Sequence, residues 1–214
     1  YKKSLADWLP KNKDKAIFFY VHIPFCEQLC WFCTCSKFIT KDYEKVKDYL
    51  KYLNKEIDLL FNFLNNNKIK LNVQTVFFGG GSPTILDRKD LKNLVDKLKG
   101  LFDFSKVGYF TIEIDPRRVD EEKLLFYNSL GVNRLSFGVQ DFDLNVQKRI
   151  NRVQPAELFH KILTKRVKEK FKTLIIFFSP LESVAHFHND RLNHRRMLDN
   201  TDFFPENTCL IRMK

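Results

Sequence analysis

Ile17-Phe-Phe-Tyr-Val-His-Ile-Pro-Phe-Cys-Glu-Gln-Leu-Cys-Trp-Phe-Cys-Thr-Cys35 begins as a strand and ends as a cluster of thiols. Ile17–Ile23 is a short apolar and aromatic run closed by Pro24, the pattern of a buried strand. Cys26, Cys30 and Cys33 follow as a C-x3-C-x2-C triplet on one short loop. An iron–sulfur cluster held wholly by protein takes four thiolates. A triplet therefore suggests one iron left open to an outside ligand, which a cluster needs if it is to do chemistry. Two other uses of these cysteines stay open. Structural zinc takes four Cys or His ligands, usually as two separated close pairs, so His22 or Cys35 would have to complete the shell. A disulfide framework is the third, but four cysteines within ten residues make a poor staple for a chain of 214.

Outward from this stretch, strand and helix patterns alternate. Asp42 to Leu64 carries Val46, Leu50, Leu53, Ile57, Leu60 and Leu64 at helical spacing. Val73–Phe78 reads as a second strand running into a glycine triplet. Asp90–Leu101 reads as a helix with Leu91, Leu94, Val95 and Leu98 on one face and Gly100 in its last turn. Tyr109–Ile114 is a third strand. Asp120 caps a helix to Leu130, with Gly131 at its C-cap. Val132–Phe137 is a fourth strand, and Pro155 opens a helix expected to run to Lys170. This order predicts an α/β fold, a parallel sheet with helices outside, either open or closed as a barrel. Chemistry in such folds sits at the C-terminal ends of the strands. The cysteines follow strand one, Gly79–Ser82 follow strand two, Glu113 ends strand three and Gln140 follows strand four.

Five ordered motifs carry a family resemblance. Tyr20-Val-His-Ile-Pro-Phe-Cys-x3-Cys-x-Phe-Cys-x-Cys35 is followed by Gly79-Gly-Gly-Ser-Pro-Thr84 and Ile112-Glu-Ile-Asp-Pro116. Asn133-Arg-Leu-Ser-Phe-Gly-Val-Gln-Asp-Phe142 and Asn151-Arg152-x-Gln154 complete the set. Together they resemble the radical S-adenosylmethionine (SAM) enzymes, specifically the oxygen-independent coproporphyrinogen III oxidases, from about Phe18 to about Lys172. Cys35 favours the oxidases over their haem-chaperone relatives.

The resemblance implies a partial (β/α) barrel and oxidative decarboxylation of coproporphyrinogen III to protoporphyrinogen IX. It implies that Cys26, Cys30 and Cys33 hold a [4Fe–4S] cluster, with Cys35 outside the ligand set. SAM would be bound by Gly80, Gly81, Ser82, Glu113, Gln140 and Arg152, with Tyr20 contacting it and Phe32 beside the cluster. Tyr20 and Glu113 would serve the catalytic centre. Ser82 stands where the family usually has threonine and keeps the hydroxyl.

Plainer readings stand beside these. Glycines at a strand end are often just a tight turn, and Tyr20 and Phe32 would otherwise be core aromatics. A buried Glu113 needs a partner, which Arg117 or Arg118 would supply as a salt bridge. Gln140 and Arg152 would otherwise be surface or capping residues. His22 is either a hydrogen-bond donor beside the cluster or a satisfied core histidine.

The net charge of +11 would suit nucleic acid in general. The lysines, however, alternate with acids, as in Lys41-Asp-Tyr-Glu-Lys-Val-Lys-Asp48, which reads as a solvated helix face. No nucleic-acid partner is expected. An anionic porphyrinogen with its carboxylates fits positive potential better, alongside an electron donor of unknown identity. No run approaches the roughly 20 apolar residues needed to span a bilayer. The expectation is a cytoplasmic protein, monomeric if folded, with reduced thiols. The expected division is an N-terminal extension over 1–16, the radical SAM core over 17–172 and a divergent tail over 173–214. In the tail, Thr173–Phe178 fits a fifth strand, but Phe177 stands where the family has a SAM-binding aspartate, and the expected Tyr-Gly-Leu-Pro turn is absent. The expectation is a truncated product with a frameshift near residue 172, and an incomplete N-terminus because residue 1 is Tyr. His186, His188 and His194 are a weak metal pattern that nothing orders. The alternatives to an active oxidase are a haem-chaperone-like or cluster-binding relative without turnover, and an inactive fragment.

Overall fold

The computed structural model describes residues 7–12, 15–178 and 209–213. Six strands form one parallel sheet: β1 (Ile17–Ile23), β4 (Val73–Gly80), β5 (Tyr109–Ile114), β6 (Arg134–Gln140), β7 (Thr173–Phe178) and β8 (Cys209–Met213). Their order is β7-β6-β5-β4-β1-β8. From β1 to β7 each strand lies beside the next in sequence, the stepwise progression of an open (β/α) barrel with its helices outside. β8 pairs with β1 on the edge away from β4, Ile17 opposite Cys209. The two remaining short strands, β2 (Phe25–Cys26) and β3 (Phe38–Ile39), pair in parallel and clamp the two ends of the cysteine loop.

Each element follows from its residues. β1 is buried at every position but Tyr20 because it lies inside a parallel sheet, between β4 and β8, whose faces are covered. Helix α1 (Tyr43–Asn66) starts where the Asp42 carboxylate accepts the Glu44 N–H, and its six predicted apolar positions are all buried. Each such Val, Leu or Ile contributes roughly 1.5–3 kcal/mol by leaving water. Helix α2 (Arg88–Lys99) begins two residues before the predicted start, because Asp87 rather than a later residue accepts the Asp90 N–H. Helix α3 (Glu121–Ser129) is capped by Asp120, and Gly131 takes φ +104 just beyond its end, where a side chain would be strained.

Three features depart from the sequence reading. The helix expected from Pro155 to Lys170 is two helices, α5 (Ala156–Ile162) and α6 (Lys165–Lys170). Thr164 interrupts it by adopting extended backbone and capping α6, its Oγ1 accepting the Val167 N–H. A short helix α4 (Leu144–Arg149), capped by Asp143, fills the segment after β6. β6 itself runs on to Gln140, past its expected end at Phe137. By contrast, β7 lies where a fifth strand is expected, with Thr173 opposite Arg134. The histidines His186, His188 and His194, and the rest of the segment 179–208, lie outside the described residues.

Candidate cluster and ligand site

The C-terminal ends of β4, β5, β6 and β7 and the cysteine loop that follows β1 border a cavity of about 370 Å³. Cys26, Cys30, Cys33, Cys35 and Phe32 face it from the loop. Gly80, Gly81 and Ser82 face it from the end of β4, Glu113 from β5, Gln140 from β6 and Arg152 from the segment after α4. Phe177 and Phe178 of β7 also line it. Tyr20 does not. Its hydroxyl lies 3.0 Å from His22 Nδ1, and His22 Nε2 lies 3.1 Å from the Ser36 carbonyl oxygen. His22 is thus a buried histidine tying β1 to the far end of the cysteine loop.

Cys26, Cys30, Cys33 and Cys35 are all free thiols. Among the described residues, no three Cys, His, Asp or Glu side chains group as the ligands of a single metal ion. All four loop cysteines border one cavity, and three thiolates on one loop are the ligand type of a polynuclear iron–sulfur cluster. Burial, then the neighbouring Cys33 and Cys30, push the Cys26 thiol up to about 12. Such crowding is costly as thiolates alone and is relieved when a cationic metal centre shares the charge.

The loop is held by groups that its own sequence does not announce. The Lys37 ammonium donates to the carbonyls of Cys33 (2.8 Å) and Cys35 (3.2 Å). The Asn151 side chain donates to the Leu29 carbonyl at 2.7 Å and accepts from Gln28 Nε2 at 3.0 Å. Asn151 sits at φ +55, a conformation Asn tolerates, and this turn aims Arg152 at the cysteines. Arg152 Nη1 donates to Cys30 Sγ at 3.4 Å and Nη2 to the Gly138 carbonyl at 2.6 Å.

The glycine loop is required by close packing. A Cβ on Gly80 would stand 2.5 Å from His22 Nδ1, with φ at +121, and one on Gly81 would meet the Phe25 backbone at 2.7 Å. The triplet is a tight junction, and Gly80 and Gly81 line the cavity. Glu113 has no salt bridge to Arg117 or Arg118, because these pair with Asp115 and Glu27. Its carboxylate accepts the Gly80 N–H at 3.1 Å. Burial lifts it from 4.5 to about 7, against that hydrogen bond. Asp115 behaves oppositely. Burial raises it, but hydrogen bonding from Arg117 and the charges of Arg152 and Arg117 outweigh this and hold it below the usual carboxylate range. Gln140 ends β6 at φ +73, a strained conformation facing the cavity.

Among the described residues no helix is long and apolar enough to cross a membrane. Residues 20–190 match the model of the radical SAM superfamily. The oxygen-independent coproporphyrinogen III oxidase of Pseudomonas aeruginosa is 43% identical over 141 residues, 64% of this chain and 30% of that protein. Its namesake from Synechocystis is 32% identical over 182 residues, 84% of this chain and 38% of that protein. The solved coproporphyrinogen III oxidase of Escherichia coli, described as a radical SAM enzyme, superposes with a TM-score of 0.74 at 28% identity. That match covers 99% of this chain and 47% of the other. The chain spans about a third of the length of the curated relatives it matches.

Proposed function

The chain belongs to the radical SAM superfamily, and from that premise we propose that it acts in the oxygen-independent conversion of coproporphyrinogen III to protoporphyrinogen IX. The observation that carries this reading is the convergence of Cys26, Cys30, Cys33, the Gly80–Ser82 loop and Glu113 on one cavity. The identity to curated oxidases across the same segment supports it.

In this proposal Cys26, Cys30 and Cys33 would hold a [4Fe–4S] cluster that binds SAM. When bound, the pair would supply a one-electron cleavage of a sulfur–carbon bond and a radical that takes a hydrogen atom from a propionate side chain; loss of carbon dioxide together with one electron, passed to an acceptor outside this chain, would leave the vinyl group. The protein's part is to bind, orient and shield. Gly80, Gly81 and Ser82 offer closely approaching backbone to the amino-acid end of SAM. Glu113 receives its ammonium group, and a cation there would favour the ionised carboxylate that burial alone disfavours. Gln140 and Arg152 line the SAM side, Phe32 packs beside the cluster, and Tyr20 supports the site through His22. Cys35, exposed at the cavity's edge, would stay outside the ligand set. The reading is completed by an anionic porphyrinogen substrate, a separate electron donor, a monomeric state and a cytoplasmic location.

Anaerobic reconstitution with iron and sulfide, dithionite reduction and EPR with and without SAM test the first half. A reduced-cluster signal that changes on adding SAM supports it, and a chain that takes no cluster refutes it. Coproporphyrinogen turnover then separates an oxidase from a cluster-binding relative without turnover.

A further inference from the structure

Cys30 is the most buried of the cavity's thiols, and two guanidiniums converge on it. Arg152 Nη1 donates to its sulfur at 3.4 Å, and Arg117 Nη2 approaches at 3.9 Å. The two arginines share one carboxylate. Arg117 grips Asp115 with both prongs, Nε to Oδ1 at 2.9 Å and Nη2 to Oδ2 at 2.7 Å. Arg152 Nη2 lies 3.4 Å from the same Oδ1. Arg117 Nη1 reaches across to Gln28 Oε1 at 3.3 Å, so one planar fork joins the end of β5 to the cysteine loop. Arg117 and Arg152 are each nearly buried, as is Asp115. Two cations against one anion leave a net positive charge beside Cys30, in a setting where water screens little.

We propose that Arg117 is a positioning residue of the cluster site: its fork on Asp115 holds a net positive charge against the Cys30 corner of the cluster and thereby sets the potential at which the cluster accepts an electron. The inference rests on the cofactor reading above. Its logic is electrostatic. Reduction adds negative charge to the cluster, and hydrogen bonds to sulfur and nearby charge are recognised levers on cluster potentials. Lysine would keep the charge at Arg117 but lose the planar two-pronged grip.

The test is an EPR-monitored redox titration of the reconstituted full chain, comparing wild type with R117Q, R117K and D115N. R117Q removes a positive charge and shifts the midpoint potential downward. D115N removes the shared anion and shifts it upward. R117K falls between wild type and R117Q. A general loosening of the loop would not move R117Q and D115N in opposite directions. R117Q and D115N both retaining the wild-type potential, or shifting in the same direction, overturns the inference while leaving the cofactor reading intact. Where R117Q takes no cluster, D115N decides: an upward shift supports the inference, and an unchanged or lower potential overturns it. A wild-type chain that takes no cluster sinks both readings.

Discussion

The Gly80 backbone N–H donates to Glu113 Oε2 at 3.1 Å, joining the end of β4 to the end of β5 at the cavity wall. The bond partly compensates a carboxylate that burial makes reluctant to ionise. It also means that a ligand cation near Glu113 would meet an acceptor already oriented by the backbone.

Glu113 gives the protein without ligands a pH dependence of known sign. Its folded value of about 7 lies above the ordinary 4.5, so the folded state holds a proton that the unfolded chain releases earlier. The stability this confers is complete below 4.5 and is lost as pH rises through about 7. The full loss is of order 3 kcal/mol. Urea midpoints measured near pH 5 and near pH 8 are expected to fall with rising pH in wild type and to fall distinctly less in Glu113→Gln. Identical slopes in the two proteins would contradict this account.

Gly80→Ala is expected to destabilise the fold by about 3 kcal/mol or more, from a strained backbone and an overpacked contact together. The new methyl would collide with the His22 ring, which is held from both sides by Tyr20 and the Ser36 carbonyl. Chemical denaturation reads the loss. A stability within about 0.5 kcal/mol of wild type, the range of a neutral substitution, would show that His22 yields freely.

Replacing Cys26, Cys30 or Cys33 singly by Ala should abolish reconstitution of a wild-type cluster, judged by iron and sulfide content. Cys35→Ala should retain it. Equal loss in all four variants would assign Cys35 a ligand role instead.

Thr164→Ala should cost about 1 kcal/mol, the usual value of a lost helix N-cap. Thr164 Oγ1 accepts the Val167 N–H at 3.2 Å and bonds Glu121 Oε1 at 3.1 Å, tying α6 to α3. A thermal or urea melt measures it, and no change would mean the α5–α6 break is maintained by packing alone.

The order of strands and helices was legible because apolar periodicity is a local property. β1 and β5 fall where their runs of Ile, Phe, Tyr and Val place them, and α1 buries the six positions its spacing marks. The split between α5 and α6 was not legible, because Thr164 serves equally well inside a helix or as a cap. Its choice follows from packing against α3. The candidate ligands were visible for a similar reason, since a cysteine triplet and a glycine triplet are contiguous signals. Arg117, Asp115, Lys37 and Asn151 carried no such signal. Each is an ordinary polar residue until the fold sets it beside a partner.

By itself, then, the sequence determined the β-loop-α alternation, the strand ends at which chemistry sits and the thiols that face the cavity, all encoded over short spans of chain. Only the tertiary structure decided that Glu113 answers to Gly80 rather than to an arginine, and that Arg117 and Arg152 meet at Cys30 across 87 and 122 residues of chain. Charge pairing depends on distances in space, and those exist only once the strands have taken their places in the sheet.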